Sequence, residues 1–581
     1  MKIFFQVLTI NLALILSTQA SLLEDLPEIE YESFQLDNGL TVIVHEDHKV
    51  PMVAVNVWYH VGSKNEKIGK TGFAHLFEHL MFNGTENYNN EYFEPFEKIG
   101  STDQNGTTNS DRTNYFENVP TNALDLALWM ESDRMGHLLG VVDQEKLDEQ
   151  RGVVQNEKRQ GENQPYGKAF TRIAEAAFPE GHPYSWSVIG SMEDLDAASL
   201  EDVQDWFKTY YGPNNAVLAL AGDIDLETAK EKVQKFFGDI PAGPPLVKPE
   251  QWIAKRTEEK RDVMFDNVPQ ARIYKMWNVP GRDTEAAAHF DLASSVLVGG
   301  KNSPLYKELV YEKQIATDVS AFYYDREIAG MFFIIADVVA GEDPAEVEKA
   351  MDKVMANFIK RGPNTKLLKA EKTKALAGFI RGIQRIGGFG GKSDLLATCQ
   401  TYTGNPGCYR DAAEYLDAAT PSNMKATFAE WIDDTAYVLT ILPSDEYGVN
   451  DEAVDRSTGV PYPTEKVSFK FPTLQTATLS NGAKVVLAQR ADVPLVEMNF
   501  QFSFGYAQEN NDELGYTNFM MDMLNEGTKK YSSLEFDEVL DSLGSNLGFG
   551  SGLDSSVVSV SSLKANLSDT LDLAKEALVN P

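Results

Sequence analysis

Apolar and polar residues alternate with a period of two in two stretches near the start of the chain, TVIVHE from Thr41 and VAVNVWYHV from Val53. Such alternation is typical of β-strands. The next stretch, TGFAHLFEHLMFNGT from Thr71, spaces its apolar residues as a helix does. The pattern therefore predicts two strands followed by a helix.

The same pattern returns late in the chain. The residues from Leu36 onward align without a gap with those from Leu479 onward, at a constant offset of 443 residues. The register includes an Asn-Gly pair in both copies, a proline and several glycines. The matching positions are Asn38-Gly39 and Asn481-Gly482, Pro51 and Pro494, Gly62 and Gly505, Gly72 and Gly515, and Gly84-Thr85 and Gly527-Thr528. We interpret this as an internal structural repeat and expect α+β units with a mostly antiparallel sheet and helices packed on one face.

Two stretches interrupt the regular patterns and divide the chain. Residues 241–252 are rich in proline, and residues 443–466 are polar and acidic. Because a chain of 581 residues is too long for one core, we expect domains over 21–242, 252–445 and 471–581, with a linker over 446–470. The third block ends about where the first has reached Arg134, so we expect an incomplete domain and a longer natural protein.

The first twenty residues predict export. Lys2 precedes an apolar stretch from Ile3 to Leu16, and small residues lead up to Ala20. This is typical of a signal peptide cleaved near Ala20, so we expect a secreted or periplasmic protein. No later segment reaches the roughly 20 apolar residues of a membrane span, so we expect no membrane insertion.

Charge and cysteine content limit the partners and the covalent links. The chain has 52 Lys and Arg against 87 Asp and Glu, a formal charge of -35, which argues against nucleic acid as a partner. It has two cysteines, Cys399 and Cys408. A local disulfide and two free buried thiols are both compatible with this sequence.

The predicted helix at Thr71 contains the residues with the clearest chemistry. His75 and His79 are four residues apart, so both imidazoles lie on one helix face, and Glu78 borders that face. Zinc binds neutral imidazole but needs further ligands. A second predicted helix, LDEQRGVVQNEKRQ from Leu147, offers Glu149 and Glu157 as candidates for a third ligand.

These residues resemble a known family. His75-Leu76-Phe77-Glu78-His79 is an inverted zinc motif, H-x-x-E-H. With FNGTENY, NGTTNSDRTNYF and RGVVQNEKRQ after it, the chain resembles the pitrilysin/insulinase metallopeptidases, which include the mitochondrial processing peptidase. The resemblance implies repeated pitrilysin-like domains and one zinc ion per chain. It also implies that His75, His79 and Glu157 bind the zinc and that Glu78 is the general base.

The resemblance extends to substrate and supporting residues. It implies that Asn105, Gly106 and Thr107 bind the backbone of an extended peptide, although Gly106 departs from the family's usual residue there. Seven residues before the third ligand, relatives often have an acidic residue that supports the metal ligands. Gln150 stands at that position here, with Glu149 beside it.

The other blocks lack the motif. In the third block, Asn518, Met521 and Asp522 replace His75, Glu78 and His79, so we expect a degenerate copy. The second block is expected to be an inactive domain of the same fold. The resemblance also implies an arginine and a tyrosine, seven residues apart, that stabilise the oxyanion, but Val310 and Thr317 stand at those places here. That pair is expected in a missing C-terminal region or in a partner subunit.

The function we predict is a zinc-dependent endopeptidase acting on peptides or unfolded polypeptides. The alternative is a non-catalytic or partner-dependent peptide-binding subunit, and a zinc carrier is a further rival. A glycine-rich stretch, GGFGGKS from Gly387, does not match a phosphate-binding loop, and we interpret it as a loop or hinge of the second domain.

Overall fold

The computed structural model describes residues 26–444, 474–489, 493–512 and 514–581. The predicted signal peptide and the predicted linker lie outside these ranges. Helices alternate with mostly antiparallel sheets, which confirms the predicted α+β class. None of the helices in the described ranges combines the length and the apolar character that a bilayer span requires.

The first sheet has six strands. They are β1 (Glu32–Gln35), β2 (Thr41–Glu46), β3 (Met52–Tyr59), β4 (Thr102–Thr108), β5 (Thr113–Pro120) and β6 (Ala216–Gly222). Their order across the sheet is β1–β2–β6–β3–β5–β4, and β2 and β6 form the one parallel pair. Among the residues that the structure describes, strand β4 pairs with β5 alone, so it forms an edge of this sheet.

Eight helices accompany this sheet. They are α1 (Phe73–Leu80), α2 (Glu94–Lys98), α3 (Leu124–Gly136), α4 (Gln144–Glu162), α5 (Ala169–Ala177), α6 (Met192–Asp196), α7 (Leu200–Tyr210) and α8 (Leu226–Phe237). Alternate residues of β3, from Val53 to Tyr59, face a core that α1, α3, α7 and α8 complete. The strand pattern predicted from the alternation is therefore present, with helices on one face.

A second sheet repeats this topology. Its strands are β7 (Lys260–Asp266), β8 (Arg272–Val279), β9 (Ala316–Tyr324), β10 (Gly330–Val338) and β11 (Tyr437–Pro443). The order β7–β11–β8–β10–β9 corresponds to β2–β6–β3–β5–β4 in the first sheet. The parallel pair is also in the same place, between β7 and β11. The second block thus has the fold of the first.

Seven helices belong to the second block. They are α9 (Glu285–Val298), α10 (Pro304–Tyr306, continued as a π-helix over Lys307–Glu312), α11 (Pro344–Arg361), α12 (Thr365–Gly382), α13 (Lys392–Thr403), α14 (Tyr409–Ala418) and α15 (Pro421–Trp431). The core contains Phe290, Phe332, Met351 and Phe428, which come from α9, β10, α11 and α15.

A helix of the second block covers the other face of the first sheet, and a helix of the first block covers the other face of the second sheet. Helix α13 packs on β3 and β6 of the first sheet, where Trp58 and Val217 meet Leu396 and Ala397. Conversely, α5 of the first block packs on the second sheet, where Ile173 lies in one cluster with Tyr274 and other residues. Because both faces are covered, β3 is buried from Val53 to Tyr59 on every residue.

The third block follows the first at the predicted offset. Its strands are β12 (Gln475–Thr478), β13 (Lys484–Leu487), β14 (Leu495–Phe502), β15 (Asn546–Ser551) and β16 (Ser556–Leu563), and its helices are α16 (Tyr516–Met523), α17 (Ser533–Ser542) and α18 (Leu567–Val579). Helix α16 begins and ends 443 residues after α1, and β14 begins and ends 443 residues after β3. The repeat seen in the sequence is therefore a structural repeat.

The two cysteines form a disulfide. Cys399 lies in α13 and Cys408 precedes α14, and their sulfur atoms are bonded. Of the two arrangements that the sequence allowed, the structure has the covalent one.

Candidate metal centre and substrate-binding edge

The helix with the histidine motif starts at a glycine. Gly72 is the N-cap of α1 with φ of 84°, and a Cβ there would lie 2.5 Å from the carbonyl oxygen of Ile189. The buried carboxylate of Glu66 accepts hydrogen bonds from the backbone N–H groups of Gly72 (3.2 Å) and Ala74 (2.8 Å). These bonds fix the first turn of α1 and hence the direction of its side chains.

The third block keeps this start without the histidines. Glu509 accepts hydrogen bonds from the N–H groups of Gly515 (2.7 Å) and Thr517 (2.6 Å) at the start of α16. Asn518, Met521 and Asp522 follow at the three motif positions, as the alignment predicted. The acidic cap therefore belongs to the fold, whereas the histidines belong to the first block alone.

Three side chains from two helices meet at one point. Nε2 of His75 lies 3.7 Å from Oε2 of Glu157, and Nε2 of His79 lies 3.5 Å from the same oxygen. The nearest ligand atoms of all three residues lie within 4.8 Å of one another. A tetrahedral zinc ion with ligands at about 2.1 Å holds its donor atoms about 3.4 Å apart. The spacing and the donor types thus fit zinc.

His75 is in the protonation state that a metal ligand requires. Burial, together with the neighbouring His79, lowers the pKa of His75 to about 4. The imidazole is therefore neutral at physiological pH and has a lone pair to offer a cation. The side chain of Glu157 is 44% exposed and faces the same point from α4, so the cluster is open on one side.

Glu78 is a buried carboxylate beside this cluster. Its residue is 8% exposed, and Oε2 has no hydrogen-bond partner in the described part of the chain. Burial raises the pKa of Glu78 to about 7, while a hydrogen bond with the Thr108 hydroxyl and the charge of Arg112 oppose this rise. A carboxylate with a raised pKa and an unoccupied oxygen is suited to accept a proton near neutral pH.

The predicted substrate-binding residues lie on the edge strand next to α1. Asn105, Gly106 and Thr107 are all in β4, which contacts α1. Gly106 is buried, and a Cβ there would lie 2.6 Å from Cζ of Phe82 and 3.0 Å from the ring of Tyr115. The strand therefore lies so close against these two rings that it leaves no room for a side chain at Gly106.

Two residues of this edge were not predicted. The Thr108 hydroxyl lowers the pKa of the Glu78 carboxyl against the effect of burial. Arg112 donates through Nη1 to the carbonyl oxygen of Thr107 at 2.9 Å, and its guanidinium lies 4.8 Å from the ring centre of Trp58. Period two along β4 places Gly106 and Thr108 on one face. That alternation is the signal that could have indicated Thr108, once Gly106 was known to face α1.

The two predicted supporting residues differ in exposure. Gln150 is buried on the face of α4 that also buries Leu147 and Val154, whereas Glu149 is exposed. Gln150 precedes Glu157 by seven residues and so lies on nearly the same side of the helix. Support of the cluster by either residue stays a prediction, and the geometry favours Gln150.

Comparisons with known proteins point to one family. A family model described as insulinase (peptidase family M16) matches residues 41–189 and 484–581. A second model, described as the peptidase M16 inactive domain, matches residues 197–375. The first match includes all four residues of the candidate centre and also the third block.

Two similar proteins are named as a protease and as a peptidase subunit. The chain is 29% identical over 352 residues to the zinc protease PqqE of Helicobacter pylori, covering 59% of this chain and 77% of the relative. It is 24% identical over 361 residues to the mitochondrial-processing peptidase subunit beta of Saccharomyces cerevisiae, covering 59% of this chain and 76% of the relative.

Solved structures share the fold. The crystal structure of a protease from Helicobacter pylori matches with a TM-score of 0.65 and 25% identity, covering 72% of this chain and 100% of that one. The periplasmic protease PqqL from Escherichia coli matches with a TM-score of 0.58 and 16% identity, covering 96% of this chain and 66% of that one. The second match shows the fold alone.

Proposed function

The chain belongs to the insulinase family of peptidases, M16, and on that premise we propose that it is a zinc-dependent endopeptidase acting on peptides and unfolded polypeptides. One observation supports this most strongly. Donor atoms of His75, His79 and Glu157 converge at zinc-ligand spacing, with the buried carboxylate of Glu78 beside them.

His75, His79 and Glu157 would hold one zinc ion per chain. When bound, zinc would polarise the scissile carbonyl group and lower the pKa of the attacking water. Two neutral imidazoles and one carboxylate leave a fourth position for water or substrate, as catalytic zinc sites do. The relatives named zinc proteases support this choice of metal.

Glu78 would move the protons of the reaction. Its carboxylate accepts a proton from the attacking water and then gives it to the leaving amine nitrogen. The raised pKa makes Glu78 a stronger base than an exposed glutamate, and Oε2 is the oxygen left without a partner among the described residues. The Thr108 hydroxyl would favour the charged form of this carboxylate.

Strand β4 would hold the substrate backbone. An extended peptide can pair with the free edge of a sheet, and β4 is such an edge beside α1. Asn105, Gly106 and Thr107 would provide the backbone contacts. We also propose Gln150 rather than Glu149 as the residue behind Glu157.

The wider setting of this site is part of the proposal. Val310 and Thr317 stand where the resemblance implies an arginine and a tyrosine, so we propose that oxyanion stabilisation comes from a further C-terminal region or from a partner subunit. We propose a secreted or periplasmic location, and the Escherichia coli relative described as a periplasmic protease supports it.

The alternative is a partner-dependent or non-catalytic peptide-binding subunit. The match of residues 197–375 to an inactive-domain model and the similarity to one named subunit of a processing peptidase favour it. The presence of all four motif residues favours the enzyme. A zinc carrier would need no edge strand for peptide beside the metal ligands.

Hydrolysis of quenched fluorescent peptides by the full chain tests the proposal. We expect slow cleavage, because Val310 and Thr317 replace the oxyanion-stabilising pair, and we expect a chelator to abolish it and stoichiometric zinc to restore it. Glu78→Gln should retain zinc and lower kcat by 100-fold or more, within the range of about 10²–10⁴ for a general base. Exposed Glu97→Gln is the matched control. Peptide binding without Glu78-dependent cleavage would favour the subunit, and zinc exchange without peptide binding would favour the carrier.

A further inference from the structure

The glycine-rich loop after α12 is held tightly against the first sheet. A Cβ at Gly387 would lie 2.1 Å from Oδ1 of Asn118 and 2.6 Å from Cβ of Ala54, so the loop backbone touches the sheet directly. Gly388 and Gly390 have φ of 72° and 68°, the left-handed region that favours glycine. Within residues 387–391, Phe389 is therefore the one side chain that the loop presents.

Phe389 is fixed on the sheet and yet exposed. Its ring lies 5.0 Å from the ring of Phe116, edge to face, and 52% of the residue remains exposed. Its carbonyl oxygen accepts a hydrogen bond from Nη2 of Arg385 (2.6 Å), and the N–H of Gly390 donates to Oδ2 of Asp394 (2.9 Å). An apolar ring held this firmly at the surface loses little conformational entropy when it binds a ligand.

The loop reaches the edge strand itself. A Cβ at Gly388 would lie 3.5 Å from the carboxyl carbon of Asp103, which is in β4. Phe116 is the register partner of Asn105, so these two side chains point to the same side of the sheet. Phe389, Phe116 and Asn105 therefore share the face of β4 that lies opposite α1.

Side chains of a peptide paired with β4 would alternate between the two faces of the sheet. Thr108 lies on the same face of β4 as Gly106, the face towards α1, and Asn105, three residues away, points to the opposite face. Three residues along a strand span about 10 Å. A peptide paired with β4 would thus present one side chain to Phe389 about three residues from the bond that lies at the level of Glu78.

We propose that Phe389, together with Phe116, forms an aromatic subsite for a large apolar side chain of the peptide bound along β4. The second block would thereby contribute to substrate selection by the first. This inference rests on the proposed function, because it requires a peptide on β4. The rival explanation is that Phe389 only anchors the loop on Phe116.

A leucine scan tests the subsite. Polar ten-residue quenched peptides, each with one leucine at a different position, are incubated with the full chain, and cleaved bonds are mapped by mass spectrometry. We expect one leucine position, about three residues from the cleaved bond, to raise kcat/KM about tenfold, the lower end of what burying an apolar side chain provides.

Three variants distinguish a role of Phe389 in substrate selection from a role in anchoring its loop on Phe116. Phe389→Ala should reduce that gain to twofold or less, and Phe389→Leu should retain most of it. Phe170→Ala is the matched control, because Phe170 is also 52% exposed and packs on aromatic rings, but on the second sheet. It should leave the gain unchanged. A gain that persists in Phe389→Ala, or an equal loss for every peptide, would overturn the proposal.

Peptide binding to Glu78→Gln makes the test independent of turnover. Fluorescence anisotropy of the same peptides should show the same leucine preference in Glu78→Gln and its loss in the double variant with Phe389→Ala. If the wild type cleaves nothing but this preference is present, the proposed function fails and the subsite stands. If cleavage occurs without the preference, or if no peptide binds, the subsite is refuted.

Discussion

Oε2 of Glu157 lies 3.5 Å from Nε2 of His79, although the two residues belong to helices that are far apart in the sequence. Helix α1 begins at Gly72 and is fixed there by Glu66, while α4 packs against it and brings Glu157 to the histidines. The cluster is thus a product of helix packing in the first block, and its chemistry depends on that packing.

The Thr108 hydroxyl should set the pH dependence of hydrolysis through Glu78. Its hydrogen bond favours the charged carboxylate, so Thr108→Val should raise the pKa of Glu78. Since Glu78 must be ionised to accept a proton, the acidic limb of the kcat/KM profile should move to higher pH by about 0.7 unit, the equivalent of a hydrogen bond of about 1 kcal/mol.

The control for this shift is Thr102→Val, at the exposed start of the same strand. Its acidic limb should coincide with that of the wild type. An acidic limb that stays in place in Thr108→Val, or that moves to lower pH, would show that Thr108 does not act on the protonation of Glu78.

Gly106→Ala should destabilise the edge strand. The new Cβ would meet the rings of Phe82 and Tyr115, which have little room to move because Tyr115 is buried. We expect a loss of about 1–3 kcal/mol in the free energy of unfolding, as overpacked cores show. Urea unfolding followed by circular dichroism measures the change.

Gly152→Ala is the matched glycine substitution, and we expect it to stabilise the fold. Gly152 lies inside α4, and no heavy atom would lie within 4 Å of its Cβ. The gain in helix propensity should raise the free energy of unfolding by about 0.5–1 kcal/mol. Equal effects of the two substitutions would contradict the close packing of β4 on α1.

The junction between the first two blocks should weaken in acid. Lys64 and His60 of the first block pair with Glu327, in the turn before β10, with His60 at 2.7 Å. Burial alone would raise the pKa of Glu327. The hydrogen bond with His60 and the charge of Lys64 outweigh burial and hold this pKa at about 2. A depressed carboxylate pKa stabilises the fold above the unfolded pKa of about 4.5 and loses that effect as the pH falls towards 2.

Glu327→Gln should therefore lower the free energy of unfolding at pH 7 by about 3 kcal/mol, because Lys64 is left buried with a weaker partner. The difference in the free energy of unfolding between the variant and the wild type should become smaller as the pH falls from about 5 to 2. Exposed Glu342→Gln serves as the control and should show no such gap. A gap that is constant with pH would rule out the charge of Glu327 as the stabilising feature.

Local features of the fold and site could be predicted from the sequence. The alternation around Val53 predicted strands, and the 443-residue offset predicted a repeat that the structure reproduces down to the ends of α16. The spacing of His75 and His79 placed both rings on one face of a helix, because helical periodicity is a property of the chain itself.

Features that depend on tertiary packing could not be predicted in this way. Nothing in the periodicity of α4 distinguishes Glu157 from Glu149, and the resemblance alone made that choice. The covering of each sheet by a helix of the other block, and the packing of Phe389 on Phe116, depend on contacts between distant segments. The domain boundaries and the roles of the site residues stay predictions.

The zinc content of Glu157→Gln, compared with the wild type after dialysis against a weak chelator, tests the central claim most directly. We predict about one zinc ion per wild-type chain and at least a tenfold weaker affinity in Glu157→Gln, because a neutral amide is a poor zinc ligand. Exposed Glu149→Gln, on the same helix, should bind zinc as the wild type does. Full zinc retention by Glu157→Gln would contradict the proposed metal centre.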